Sequence, residues 1–210
     1  MPVYSNSKNS AVDDPKTTNR VMFIVAIVVL VTFIVVMILM SNRGASSLLV
    51  PSTVKKVVVE LQVKNRGKIN LELRNDLMPK TVNIFVAMVN KGYYTGRKFF
   101  RVDNYMTMAG SPTDEAGYDN GEPVTLESNP ELKVERYSIG MGKDTKANKS
   151  STAIFFIAKA REASFNGKYA VFGNVVDVPS QKVLDTLKLN DTIEKAVVIS
   201  YDGILQSPKP

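Results

Sequence analysis

Between Phe99 and Pro112 the chain runs FFRVDNYMTMAGSP. One arginine, Arg101, lies inside an apolar, extended stretch and is followed by an aromatic residue, Tyr105, a methionine, Met106, and a glycine turn at Gly110. A guanidinium is a rigid fork of N–H donors that stays charged at any physiological pH, so it donates hydrogen bonds and does not act as a base. The rest of the composition narrows the chemistry further. The chain has no cysteine and no histidine. Disulfides, thiolate nucleophiles and cysteine-ligated metals are excluded, as are a Ser-His-Asp triad, a His-ligated zinc and a histidine proton shuttle. What remains is arginine, lysine, carboxylates, hydroxyls and the backbone, a set suited to reactions that need no strong base near neutral pH. On composition alone Arg101 reads as a solvated surface arginine in an ion pair, as most arginines are.

The surrounding elements favour a β-rich frame. Lys56 to Val63 is dense in β-branched residues, Asn65-Arg66-Gly67-Lys68 is a turn, and Ile69 to Arg74 alternates apolar with polar, which together predict a hairpin. Pro79 opens a helix whose apolar positions Val82, Phe85, Val86 and Val89 follow helical spacing and which Asn90-Lys91-Gly92 ends. Short strands are expected at 98–102, 105–108, 137–141, 153–158 and 169–175. A second helix is expected from Ser180, as its N-cap, to Leu187, and a last strand from Glu194 to Tyr201. Many short strands with two isolated helices point to an antiparallel barrel rather than alternating βα units.

Ahead of this domain, Val21 to Met40 forms a run of twenty residues without charge, in which Thr32 is the single polar side chain. At about 1.5 Å per residue such a helix crosses the roughly 30 Å hydrocarbon core of a bilayer. The run is longer than a signal-peptide core, and Ser41-Asn42-Arg43-Gly44 is a poor cleavage site. The expected organisation is a disordered tail over 1–20, a single transmembrane helix over 21–40, a linker over 41–53 and a folded domain over 54–210. Basic residues flanking the span (Lys8, Lys16 and Arg20 before it, Arg43, Lys55 and Lys56 after) nearly balance. A short tail before a long domain places that domain outside the cytoplasm or in a lumen. The net charge of +7 is scattered rather than gathered into a stripe. That fits a solvated surface, or weak attraction to an anionic membrane, and not a nucleic-acid footprint. Asn148-Lys149-Ser150 and Asn190-Asp191-Thr192 match the N-glycosylation pattern, and the acidic stretch 114–122 reads as a solvated loop rather than a calcium site.

Several motifs then occur in an order that resembles the cyclophilin peptidyl-prolyl isomerases. They are Gly67-Lys68-Ile69-Asn70-Leu71-Glu72-Leu73, Pro79-Lys80-Thr81-Val82-Asn83-Ile84-Phe85, Gly92-Tyr93-Tyr94-Thr95-Gly96 ahead of Phe99-Phe100-Arg101-Val102, Phe155-Phe156-Ile157, and Asn166 to Val175. The likeness runs from about Lys56 to Asp202. It implies a mainly β fold, a closed eight-stranded antiparallel barrel capped by two helices, with a peptide groove on its outer face. It also implies a reaction. An X-Pro amide resists rotation with a barrier of roughly 18–20 kcal/mol, and a catalyst need only bind the twisted amide better than either planar isomer. No cofactor or metal is required.

By this resemblance Arg101 donates to the prolyl nitrogen, and Tyr105, Met106, Phe156 and Phe165 wall the proline ring. Phe155, turned the other way by strand alternation, belongs to the core. Tyr105 stands one residue nearer the arginine than the family's phenylalanine, a one-residue deletion around Asp103-Asn104. Met108 and Ile154 occupy positions of two groove glutamines, Ser164 that of a tryptophan and Tyr169 that of a histidine. Met141 lies where an asparagine offers its backbone. With those polar anchors changed, the implied function is prolyl isomerisation at a membrane surface, assisting folding of proline-containing polypeptides, with weak turnover. The alternative is a tethered cyclophilin-like binding module that holds such segments with little catalysis. The residues leave oligomeric state open.

Overall fold

The computed structural model describes residues 49–115, 123–144 and 149–206, together with Leu30 and Thr32, both helical. The chain divides into two units, 1–46 and 47–210. The tail over 1–20, the linker as far as residue 48 and, Leu30 and Thr32 apart, the span over 21–40 lie outside the described residues. Among the described residues no helix is long and apolar enough to cross a membrane.

The second unit is built on one antiparallel sheet. In chain order its strands are β1 (Lys56–Val63), β2 (Gly67–Arg74), β3 (Arg101–Val102), β4 (Met106–Ala109), β5 (Val124–Thr125), β6 (Ser138–Asp144), β7 (Lys149–Ala158), β8 (Val171–Val175), β9 (Ile193–Tyr201) and β10 (Ile204–Leu205). Among the described residues of this unit, two α-helices, α1 (Pro79–Asn90) and α2 (Val178–Asp185), and a 3-10 turn over Ala163–Phe165 accompany them. The spatial order is β10-β9-β1-β2-β8-β6-β7-β4-β3, with β5 beside β7. The expectation of a closed eight-stranded barrel is therefore corrected: among the described residues the sheet has ten strands and is open, with β10 and β3 at its ends. The reason lies just before β3: of the strand expected over 98–102 only Arg101 and Val102 join the ladder, and the residues ahead of them meet the start of β9 through an isolated bridge rather than a continuous ladder. The Lys98 N–H donates to the Asp114 carboxylate, 3.0 Å away, and the Arg97 guanidinium donates to the Pro112 carbonyl at 2.7 Å. One isolated bridge, Lys98 to Thr192, and bonds from Phe99 N–H to the Asp191 carbonyl and Ile193 N–H to the Arg97 carbonyl fasten this stretch to the start of β9.

The hairpin forms as its alternation dictates, with Val57, Val59, Leu61 and Val63 of β1 and Ile69, Leu71 and Leu73 of β2 buried on one face. Helix α1 sets Phe85 against that core, its ring 5.1 Å from Tyr94, 5.2 Å from Phe172 and 5.5 Å from Phe155, centroid to centroid. The residue ahead of α1, Met78, supplies no side-chain cap. Glu127 does so from a distant loop, accepting the Thr81 N–H and hydroxyl at 2.7 Å each. Helix α2 starts two residues earlier than expected. Asp177, not Ser180, is its N-cap and accepts the Ser180 N–H at 2.7 Å, with Pro179 in the first turn. The Ser180 hydroxyl instead donates to Asp177 and accepts the N–H of Asn70, docking α2 on β2.

Candidate active site

The site begins with a row of residues that strand pairing sets side by side. Arg101 of β3 is opposite Met108 of β4, Met108 is opposite Phe156 of β7, and Phe156 is opposite Gly140 of β6. Directly opposed residues share a sheet face, so the guanidinium, the thioether and the ring project together. Gly140 is what lets the ring lie flat: a Cβ there would fall 2.4 Å from Phe156 Cζ. Two residues along the same face, Met106 is opposite Ala158. Met106, Phe156, Ala158, Val134 and Val171 form a buried apolar cluster separate from the main core, with Met108, Leu132, Phe165 and Tyr169 packed against it. Tyr169 braces the cluster, edge-on to Phe156 at 5.6 Å and tilted over Phe165 at 4.6 Å.

A cleft of about 230 Å³ opens beside this cluster, lined by Arg101, Tyr105, Met106, Val134, Ala158, Ala160, Glu162 and Phe165. Arg101 sits on its rim with 48% of its side chain exposed. Its Nε donates to Asp103 Oδ2 at 2.7 Å, and Nη1 lies 4.0 Å from the Met108 sulfur. The other Asp103 oxygen accepts the N–H groups of Tyr105 at 2.8 Å and Met106 at 2.9 Å. Partial burial pushes the Asp103 carboxyl up, and the Met106 N–H, the Arg101 guanidinium and the Tyr105 N–H outweigh that and hold it below the ordinary carboxylate value. Glu162, which also lines the cleft, is held low by the Ser164 hydroxyl and N–H.

The residues singled out in the sequence distribute themselves unevenly. Arg101, Tyr105, Met106 and Phe165 line the cleft, though Tyr105 is 64% exposed and stands at the mouth rather than within the wall. Phe156, Met108 and Tyr169 form its backing. Ile154 is buried on β7, where its side chain covers Gly142 and stays out of the lining.

The family model described as cyclophilin type peptidyl-prolyl cis-trans isomerase/CLD matches residues 58–206. The chain belongs to the cyclophilin-type peptidyl-prolyl cis-trans isomerases. This cyclophilin is 32% identical over 139 residues to a peptidyl-prolyl cis-trans isomerase of Helicobacter pylori, across 63% of this chain and 82% of that one. Its fold is similar to a cyclophilin-type isomerase of Cryptosporidium parvum, with a TM-score of 0.60 at 25% identity over 69% of this chain and 98% of the other. That protein, solved also in the presence of the dipeptide Ala-Pro, then gives a TM-score of 0.58 at 24% identity over 72% and 99% of the two chains.

Val134, Ala158, Ala160, Glu162 and Asp103 of the cyclophilin site escaped the sequence reading. Ala158 was within reach of it, since β7 alternation puts Ile154, Phe156 and Ala158 on one face. Asp103 carried a signal too, a carboxylate two residues from the arginine in a short turn. Val134 and Glu162 had none, because the 134-to-162 backbone bond that brings them together joins two loops.

Proposed function

We propose that Arg101 donates to the prolyl nitrogen of an X-Pro bond whose ring enters the cleft between Met106 and Phe165, with Tyr105 at the mouth and Phe156, Met108 and Tyr169 behind. As the amide twists, its nitrogen becomes pyramidal and gains a lone pair able to accept; a donor that meets only this state lowers the barrier. The observation that carries the reading is the shared cleft: a permanently charged donor and an apolar wall line one opening. One charge-assisted bond contributes about 1.5–3 kcal/mol. Accelerating exchange from about a minute to about a millisecond requires roughly 6–7 kcal/mol, and the rest is supplied by holding the peptide against a dry wall. Protease-free NMR exchange on an X-Pro peptide tests this: Arg101→Ala is expected to lose about 10- to 100-fold in kcat/KM. Unchanged exchange would remove Arg101 from the reaction.

A second reading, a binding module with little turnover, is favoured by one feature. Among the described residues lining the cleft there is no side-chain amide to anchor the substrate carbonyl. Peptide binding without exchange would establish it. We further propose that residues 21–40 tether the domain, residues 54–210, to a membrane, on its extracytoplasmic or lumenal side, where it meets proline-containing polypeptides during folding. Support comes from the uncharged run of twenty residues. Flotation of the intact chain with lipid vesicles, lost when 21–40 is deleted, is the expected outcome.

A further inference from the structure

We propose that Asp103 is the positioning residue for Arg101, fixing in one carboxylate both the direction of the guanidinium and the frame of the pocket wall. The proposal rests on the reading of Arg101 as donor. A half-exposed arginine samples many rotamers, and a donor that must meet a transient nitrogen loses effectiveness with that freedom. Across the strand, position 108 offers only a thioether sulfur at 4.0 Å, a weak acceptor. The restraint comes instead from two residues along the chain. Asp103 Oδ2 takes the Arg101 Nε–H at 2.7 Å, which stops rotation about the last side-chain bonds and commits Nε, so that the terminal nitrogens are the ones available to the cleft. Oδ1 takes two backbone N–H groups, those of Tyr105 and Met106, while the Asp103 N–H donates to the Met106 carbonyl at 3.0 Å. The turn that carries the clamp is thus the turn that delivers Tyr105 and Met106 to the cleft. Donor and wall are referenced to the same two oxygens.

The two roles of the carboxylate separate under Asp103→Asn. The amide oxygen still accepts from Tyr105 and Met106, keeping the turn, while the amide NH2 meets the Arg101 Nε–H donor against donor and releases the guanidinium. With the intact chain in detergent micelles, NMR exchange on an X-Pro peptide is expected to show kcat reduced about tenfold with KM within about twofold. The Arg101 Nε–H resonance should lose its protection from solvent exchange, with a Tm close to the parent's. Asp103→Ala should lose the same kcat and also lower the Tm. In an Arg101→Ala background, Asp103→Asn should have no further effect. Full kcat in Asp103→Asn alongside an impaired Arg101→Ala would overturn the clamp and leave the donor standing. A loss that persists undiminished in the Arg101→Ala background would overturn it as well. An Arg101→Ala protein as active as the parent would sink the donor reading and the clamp together.

Discussion

Arg101 illustrates how little a residue type says without its surroundings. Its guanidinium is paired with a carboxylate and half exposed, as an ordinary surface arginine would be, yet it stands on the rim of an apolar cleft. Shape therefore matters beyond charge. In Arg101→Lys a compact ammonium replaces the planar fork and cannot both hold Asp103 and face the cleft. Exchange measurements should show a loss approaching that of Arg101→Ala despite the retained charge. Gly140 makes the complementary point on the wall. Phe156 is 1% exposed, with nowhere to retreat from a methyl group at position 140. Gly140→Ala is expected to cost about 1–3 kcal/mol through overpacking, read as a lower Tm, and to raise the KM for an X-Pro peptide because the displaced ring disturbs Met106 and Tyr169.

The elements divide by how local their causes are. Helix α1 was legible from Pro79 and the spacing of Val82, Phe85, Val86 and Val89, all four of which are buried. Its cap was not, because Glu127 lies 46 residues from the Thr81 it bonds and no local pattern links them. Glu127→Ala should cost about 1 kcal/mol, seen as a lower urea midpoint at unchanged m-value. Phe85→Ala removes the ring on which Tyr94, Phe155 and Phe172 converge, and should cost about 3–5 kcal/mol in the same measurement. The bounds of helix α2 were misplaced by two residues, and its cap by three, because Ser180 and Asp177 are both good caps. The choice fell to the one that precedes Pro179, while the Ser180 hydroxyl was claimed by Asn70 of the neighbouring strand. Strands β5 and β10, two residues each, are too short for alternation to register.

At the scale of the whole molecule, the absence of histidine and cysteine leaves no side chain with an ordinary pKa between about 5 and 8. The shifted groups fall outside that range. Asp76 is held low by the Arg74 guanidinium; in Asp103 and Asp177 hydrogen bonds to backbone and side-chain donors outweigh the upward push of burial. Each has a folded pKa below its unfolded one, so its stabilisation is present above the unfolded value and is lost as pH falls through the folded value, below about 4. Burial raises Tyr137, with help from Asp185, and raises Tyr201, so their contribution is present below the unfolded value and is lost as pH climbs above about 10. Urea denaturation should therefore give a flat stability plateau from about pH 5 to about pH 9 with a fall on either side. A step near pH 6.5 would contradict it. The chain's residue types alone decided that no histidine or cysteine takes part in any catalysis here, and its periodicities decided the first hairpin and α1. Such properties need no partner beyond near neighbours. Folding in three dimensions decided that the sheet stays open, with an isolated bridge, Lys98 to Thr192, instead of a continuous ladder between the stretch before β3 and the start of β9. It also decided that Val134 and Glu162 border the cleft and that a turn carboxylate aims the arginine. Those outcomes depend on which distant backbone donors and acceptors meet once the loops have closed, a competition among long-range contacts that no short window of residues contains.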